Sequence, residues 1–240
     1  IVVGNLAIGG TGKSPMTEFI IKSLKDNFNV ATLSRGYGRK TKGFRFVETN
    51  STANDVGDEP LQFKNKFPDI TVSVCEDRCT GIETIKNNND AIILDDAFQH
   101  RKLKPTFSFL LFEYYSCLKP MLVLPSGNFR DLPGEAKRAD MIIVTKTPKE
   151  ATAIEKEKIK QRLLKLSRDK SVFFSEISYG NIIPIQGNIT LLNNNTTVIL
   201  VTGIANPQPL VQYLNLLVQD IIHLQYADHH NFVLDDIHHI

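Results

Sequence analysis

The chain has 240 residues, enough for one large α/β domain or two small ones. Its 42% hydrophobic content is that of a folded globular protein, and it holds no run of about 18 apolar residues that would span a membrane. A net charge of +2 excludes a general nucleic-acid surface, so no nucleic-acid partner is expected. Cys75, Cys79 and Cys117 are odd in number and widely spaced, as free thiols in a reducing compartment would be.

Val2–Asn5 reads as a first strand. It runs through Ala7-Ile8-Gly9-Gly10-Thr11-Gly12-Lys13-Ser14 into a helix from Pro15 to Lys25, with Pro15 in the first turn, where its missing N–H is tolerated. Strand, glycine-rich loop ending in Gly-Lys-Ser, and helix together form a phosphate-binding loop. Gly9, Gly10 and Gly12 let the backbone around Thr11 turn its N–H groups onto phosphate oxygens. Lys13 would reach the β- and γ-phosphates from the helix start, and Ser14 would offer a hydroxyl to Mg²⁺. The expected ligands are a nucleoside triphosphate and Mg²⁺. One departure is Ala7, which stands where the usual pattern begins with glycine.

Val30–Leu33 is a second strand, ending in the basic, glycine-hinged loop Ser34-Arg35-Gly36-Tyr37-Gly38-Arg39-Lys40. Phe44–Glu48 reads as a short strand. Asp55-Val56-Gly57-Asp58-Glu59-Pro60 leads into a helix to about Phe67. Ile70–Cys75 is a strand, and Asp77 opens a helix to about Asn87. Ala91–Leu94 is a buried strand ending in Asp95-Asp96, followed by Gln99-His100. Phe107–Phe112 and Met141–Val144 are further apolar strands, and Ala153–Leu166 is a charged helix. Strands alternating with helices at this spacing predict a mostly parallel sheet covered on both faces. Val172–Leu192 then reads as an extended connector. Thr197–Thr202, Pro209–Val218 and Ile221–Gln225 follow as strand, helix and strand.

Ligand sites in such sheets gather where strands end. Asp95 and Asp96, at the end of a strand near the phosphate loop, are candidates to hold Mg²⁺. Asp58 alone would be a helix cap, but near Asp95 and Asp96 it becomes a candidate base for a substrate hydroxyl. Arg35, Arg78, Gln99, His100 and Arg130 are candidates for recognising substrate or phosphate. Four of the six histidines fall in the last 12 residues, without the spacing of a familiar zinc motif.

Several of these blocks occur together and in order. They are Val3-Gly4-Asn5 through Pro15, Ser34-Arg35-Gly36-Tyr37-Gly38, Val56-Gly57-Asp58-Glu59-Pro60 and Asp95-Asp96-Ala97-Phe98-Gln99-His100. Leu124-Pro125-Ser126-Gly127 with Arg130, Val144-Thr145-Lys146, Thr202-Gly203-Ile204-Ala205-Asn206-Pro207 and Ala227-Asp228-His229-His230 complete the set. In these blocks the chain resembles the tetraacyldisaccharide 4'-kinases, the lipid A 4'-kinases of Gram-negative bacteria, over nearly its whole length.

The resemblance implies ATP-dependent phosphorylation of the 4'-hydroxyl of a lipid A disaccharide 1-phosphate, giving lipid IVA. It implies peripheral action at the cytoplasmic face of the bacterial inner membrane, through an N-terminal helix expected to precede Ile1. It makes Asp58 the catalytic base, His229 its partner, and Asp95 and Asp96 the Mg²⁺ residues, with Lys13 acting on the phosphates. The implied fold is a P-loop NTPase-like three-layer α/β/α sandwich with a second, smaller α/β unit and a two-stranded linker. The corresponding bounds are a kinase core at 1–175, a linker at 176–190 and a second unit, cut short, at 191–240. Ala97 replaces a glycine frequent in the family, which should matter little if its φ is negative. Two other classes stay open on the residues alone. One is another P-loop enzyme, such as a GTPase or a soluble small-molecule kinase. The other is a regulatory or assembly ATPase whose second unit binds a partner.

Overall fold

The computed structural model describes residues 1–167, 170–184, 187, 192–204, 206–228, 230 and 232–239. They divide into two units, Ile1–Ile177 and Ser178–Ile240.

In the first unit, strands rich in β-branched and aliphatic residues are apolar on both faces. That composition suits a parallel sheet with helices on each side. The strands are β1 (Val2–Asn5), β2 (Val30–Ser34), β3 (Arg45–Phe46), β4 (Thr71–Val74), β5 (Ala91–Asp95), β6 (Ser108–Glu113), β7 (Met141–Thr145) and β8 (Ser171–Phe174). They form one eight-stranded sheet in the order β3-β4-β2-β5-β1-β6-β7-β8. Every pairing is parallel except that of the short edge strand β3 with β4. Alternation along β6 shows the two covered faces: Leu110 packs with Leu33, Phe112, Phe129, Ile142 and Leu163, while Leu111 packs with Ile21, Phe63, Val72 and Ile93.

The helices are α1 (Lys13–Leu24), α2 (Ala53–Val56), α3 (Asp58–Lys66), α4 (Arg78–Ile85), α5 (Tyr114–Leu118) and α6 (Ala153–Ser167). The helix α1 starts at Lys13, two residues ahead of the expected Pro15, and Asp77 caps α4 by accepting from the Cys79 N–H at 2.9 Å. Two short helices of this unit were not anticipated. The helix α2 is closed by Thr52 and Asp55, each bonding the other's end of the turn. The five-residue α5 follows β6 directly.

One expectation is corrected. Val172–Phe174 is not part of a connector but belongs to β8, which pairs with β7 from Met141↔Ser171 to Val144↔Phe174. An edge strand buries one side only, so its alternation of half-buried and exposed residues gives a weak signal in sequence. Of the segment 176–190, the described residues 176–184 and 187 carry no strand, and the others lie outside the described residues.

The second unit holds the parallel pair β9 (Thr197–Thr202) and β10 (Asp220–Gln225), with α7 (Gln208–Leu214) between them in sequence and α8 (Leu234–His239) after them. His223 Nε2 lies 2.8 Å from Thr202 Oγ1 across the pair. His230 Nε2 lies 2.9 Å from Asp236 Oδ2, and its ring stacks on Tyr226 at 4.7 Å.

Candidate active site

The central strand β1 delivers the chain to the phosphate loop, and β5, its parallel neighbour, ends in Asp95. Gly12 sits at φ 81°, a left-handed conformation that admits glycine without strain, and from it α1 begins. The start of α1 has no side-chain cap and no acidic residue in its first turn. Its first N–H groups and its dipole therefore suit an anion.

The loop is tied down by side chains from three strands. Asn5, fully buried at the end of β1, donates from Nδ2 to Thr11 Oγ1 at 2.8 Å. Thr145, at the end of β7, donates to the Thr11 carbonyl at 2.8 Å. Thr17 on α1 donates to Asp95 Oδ1 at 3.0 Å, fixing the helix to β5. Lys13 Nζ lies 3.9 Å from Asp96 Oδ2.

The two adjacent acids have different surroundings. Asp95 is 1% exposed, and burial, with the carboxylates of Glu59 and Asp96 adding to it, pushes its carboxyl up to about 7. Its Oδ2 is buried without a hydrogen-bond partner. Asp96 turns away at φ 48°, a region that aspartate tolerates better than most residues. Its carboxylate meets Arg130, which also donates to Asn5 Oδ1 at 2.6 Å. Ala97, by contrast, is not at positive φ, so its replacement of glycine carries no backbone strain.

A cavity of about 500 Å³ opens beside this group. The structure brings Arg35, Arg78, Gln99, His100 and Arg130 together on its walls with Asp95 and Asp96. Gln99 is anchored by donating to the Asn5 carbonyl at 2.8 Å. Arg78 is buried and donates to the Cys75 and Glu76 carbonyls at 3.0 and 3.1 Å. Burial lowers the pKa of its guanidinium, and the charge of Arg35 adds to that. His100 Nδ1 is buried without a partner.

Asp58 is placed differently. It is exposed in the first turn of α3 and lines a separate depression with Leu61, Gln62, Asn65 and Lys66. Its neighbour Glu59 is the residue of that pair which lines the main cavity, and it accepts from the Ser14 hydroxyl at 2.6 Å. His229 lies outside the described residues.

Glu59, Asn5 and Thr17 were not singled out from sequence. Glu59 adjoins Asp58 in an already marked block, and Asn5 ends the strand before the loop, so position alone was their only signal. Among the described residues no three His, Cys, Asp or Glu side chains converge as a metal cage. Mg²⁺ needs no such cage, because it is commonly held by one or two carboxylates and substrate phosphates.

A glycine-rich loop between the central strand of a parallel sheet and its helix, with acids at the end of the adjoining strand, defines a P-loop nucleotide-handling enzyme. The chain matches the family described as Tetraacyldisaccharide-1-P 4'-kinase over residues 1–240, and it belongs to that family. It is 41% identical over 256 residues to the Tetraacyldisaccharide 4'-kinase of Bacteroides thetaiotaomicron, covering 100% of this chain and 67% of that protein. It is 42% identical over 243 residues to that of Flavobacterium psychrophilum, covering 99% and 70%. The chain thus spans about two thirds of the length of these relatives. Among solved structures, LpxK from Aquifex aeolicus in complex with ATP superposes with a TM-score of 0.73 at 27% identity, covering 97% of this chain and 73% of that one.

Proposed function

We propose that the chain transfers the γ-phosphoryl group of ATP to the 4'-hydroxyl of a tetraacyldisaccharide 1-phosphate. The observation that carries this reading, beside family membership, is the convergence on Asn5. Its side chain and carbonyl join the phosphate loop to Arg130 and Gln99, two residues that line the cavity, so the loop adjoins it.

In the reaction the 4'-oxygen forms a bond to Pγ as the bond from Pγ to the β,γ-bridging oxygen breaks, and ADP leaves. The loop N–H groups and Lys13 hold the phosphates. Lys13 and Arg130 stabilise charge on the transferring oxygens. Asp58 orients the hydroxyl and takes its proton, with His229 as its partner. Arg35, Arg78, Gln99 and His100 bind the acceptor.

Ser14, Asp95, Asp96 and Glu59 would hold Mg²⁺. The fit rests on the orphaned, buried Oδ2 of Asp95 and on the negative charges of Glu59 and Asp96 acting on that carboxyl, a repulsion that a cation relieves. Bound there, Mg²⁺ would supply charge neutralisation for the phosphates.

A lipid acceptor places the reaction at a membrane surface, in this reading the cytoplasmic face of the inner membrane. Among the described residues no helix is long and apolar enough to cross a bilayer. The exposed side chains of Ile8, Leu122, Leu124 and Leu132 offer apolar surface beside Arg130 for acyl chains or lipid.

The test is transfer of label from γ-labelled ATP to detergent-solubilised tetraacyldisaccharide 1-phosphate, with the Asp58→Ala variant in parallel. Labelled glycolipid that disappears in the variant supports the reaction and the role of Asp58. ATP binding without label on the glycolipid would sink the reading.

A further inference from the structure

Part of the cavity wall comes from three places: the Arg35–Tyr37 turn after β2, Glu59 beside Asp58 at the start of α3, and the Glu76–Arg78 turn after β4. One side chain that does not line the cavity, Arg39, touches the first turn and the third, and the first turn in its place backs onto the residues ahead of α3. Arg39 is 2% exposed in its side chain, although it lies in a glycine-rich surface loop. Its Nη2 donates to the Gly43 carbonyl at 2.7 Å and to Glu76 Oε1 at 2.6 Å. The other carboxylate oxygen of Glu76 accepts from the Gly43 N–H at 3.0 Å. Glu76 therefore closes a ring around the 39–43 loop.

Packing continues the tie. A Cβ on Gly36, at φ +72°, would meet Arg39 Cδ at 2.6 Å and the Val56 carbonyl at 2.7 Å. A Cβ on Gly57, at φ +92°, would meet the Tyr37 carbonyl at 2.9 Å. The stem of Arg39 thus lies against the turn that carries Arg35 and Tyr37. That turn lies against Val56–Gly57, directly ahead of Asp58 and Glu59. Lys40 N–H to the Asn54 carbonyl at 2.7 Å and Thr41 hydroxyl to the Asp55 carbonyl at 2.5 Å bind the same loop to α2.

The arrangement is costly, because Arg39 Nε and Nη1 are buried with no hydrogen-bond partner. A methionine or leucine would fill the space without that desolvation penalty. What an apolar side chain cannot do is hold the Gly43 carbonyl and the Glu76 carboxylate from one planar fork.

We infer that Arg39 is a positioning residue for the acceptor half of the site, fixing the Arg35–Tyr37, Asp58–Glu59 and Glu76–Arg78 turns relative to one another. The nucleotide half is held by the bonds of Asn5, Thr17 and Thr145, none of which involves Arg39, and meets the Asp58–Glu59 turn through the Ser14–Glu59 bond. The inference rests on the phosphoryl-transfer reading above.

The experiment measures steady-state kinetics for both substrates, ATP binding by calorimetry, and Tm for the natural full-length protein and its Arg39→Met, Arg39→Lys and Glu76→Gln variants. Arg39→Met lowers kcat/KM for the glycolipid by about tenfold to a hundredfold, while the Kd for ATP stays within about twofold. Arg39→Lys recovers part of that loss, since one ammonium reaches one of the two acceptors. Glu76→Gln, which keeps an acceptor for Arg39, loses less than Arg39→Met. The inference is overturned if Arg39→Met leaves the glycolipid parameters unchanged, or if ATP affinity and glycolipid turnover fall together in step with Tm. A wild-type protein that binds ATP but transfers nothing to the glycolipid would instead overturn the phosphoryl-transfer reading itself.

Discussion

Replacing Arg130 by methionine separates what this side chain does for the fold from what it does for the chemistry. Asn5 is fully buried, so loss of the Arg130 donor leaves its side-chain oxygen unpaired, at a cost of about 1–3 kcal/mol. The ion pair with Asp96 joins side chains 28% and 35% exposed, and solvent screening holds its contribution below about 1 kcal/mol. Methionine retains much of the stem's packing. The sum is about 1–4 kcal/mol, or a fall in Tm of about 2–16 °C for a chain of this size. A cation facing the transferring group is a larger matter for the rate, on the order of 10³-fold in kcat. The assay is kcat and ATP affinity for wild type, Arg130→Met and Arg130→Lys, taken well below the lowest Tm. The expected result is a kcat loss of about 10³-fold in Arg130→Met, with ATP affinity within about tenfold and the lysine variant in between. A kcat loss under about tenfold, together with the predicted fall in Tm, would refute the phosphoryl-facing role and leave Arg130 as a structural tie.

Asp95→Asn should abolish Mg²⁺-dependent turnover yet stabilise the metal-free protein at alkaline pH. The folded protein raises this carboxyl from 3.8 to about 7, so the stability it allows is full below the lower value and is lost as pH rises through the upper one. In EDTA, the Asn variant should melt above wild type at about pH 8, with the gap closing toward about pH 4. A wild-type advantage at the higher pH would contradict this. Gly57→Ala forces a Cβ into φ +92° and within 2.9 Å of the Tyr37 carbonyl. A destabilisation of about 1–3 kcal/mol is expected in chemical denaturation. An unchanged midpoint would mean that the turn relaxes freely. Native-state alkylation followed by mass spectrometry should label Cys79 first. Cys75 and Cys117 are buried, and burial pushes the Cys117 thiol up to about 12. Early labelling of Cys117 would show that α5 opens readily.

The strands at the heart of the site were legible because their sequences are apolar on both faces and end in turn residues. That is why β1, β2, β5 and β7 were located to within a residue of their ends. The phosphate loop was legible because its function lies in local backbone geometry, which Gly9, Gly12, Lys13 and Ser14 encode within six residues. Contacts between distant residues were not legible. Ser14 was expected to serve Mg²⁺ alone, but its hydroxyl bonds Glu59, 45 residues away, and Asp95 meets Thr17, 78 residues away. No periodicity announces such pairs. The helix α2 was missed because four residues are too few for a hydrophobic stripe, although Thr52 and Asp55 are a capping pair at the expected spacing. Edge strand β8 lacked the second buried face that marked the others.

Asn5 has a consequence for how the site responds to its ligands. A short amide on the central strand has only two torsions, and both of its ends are occupied, the nitrogen by Thr11 and the oxygen by Arg130. Between the phosphate loop and Arg130 there is consequently no long, soft side chain to absorb displacement. Nucleotide that shifts the loop must shift Arg130 with it, and a rigid amide resists both. Within the first unit, the ligand-free site is therefore preorganised. Its ordering entropy is lost when the chain folds rather than when ATP arrives.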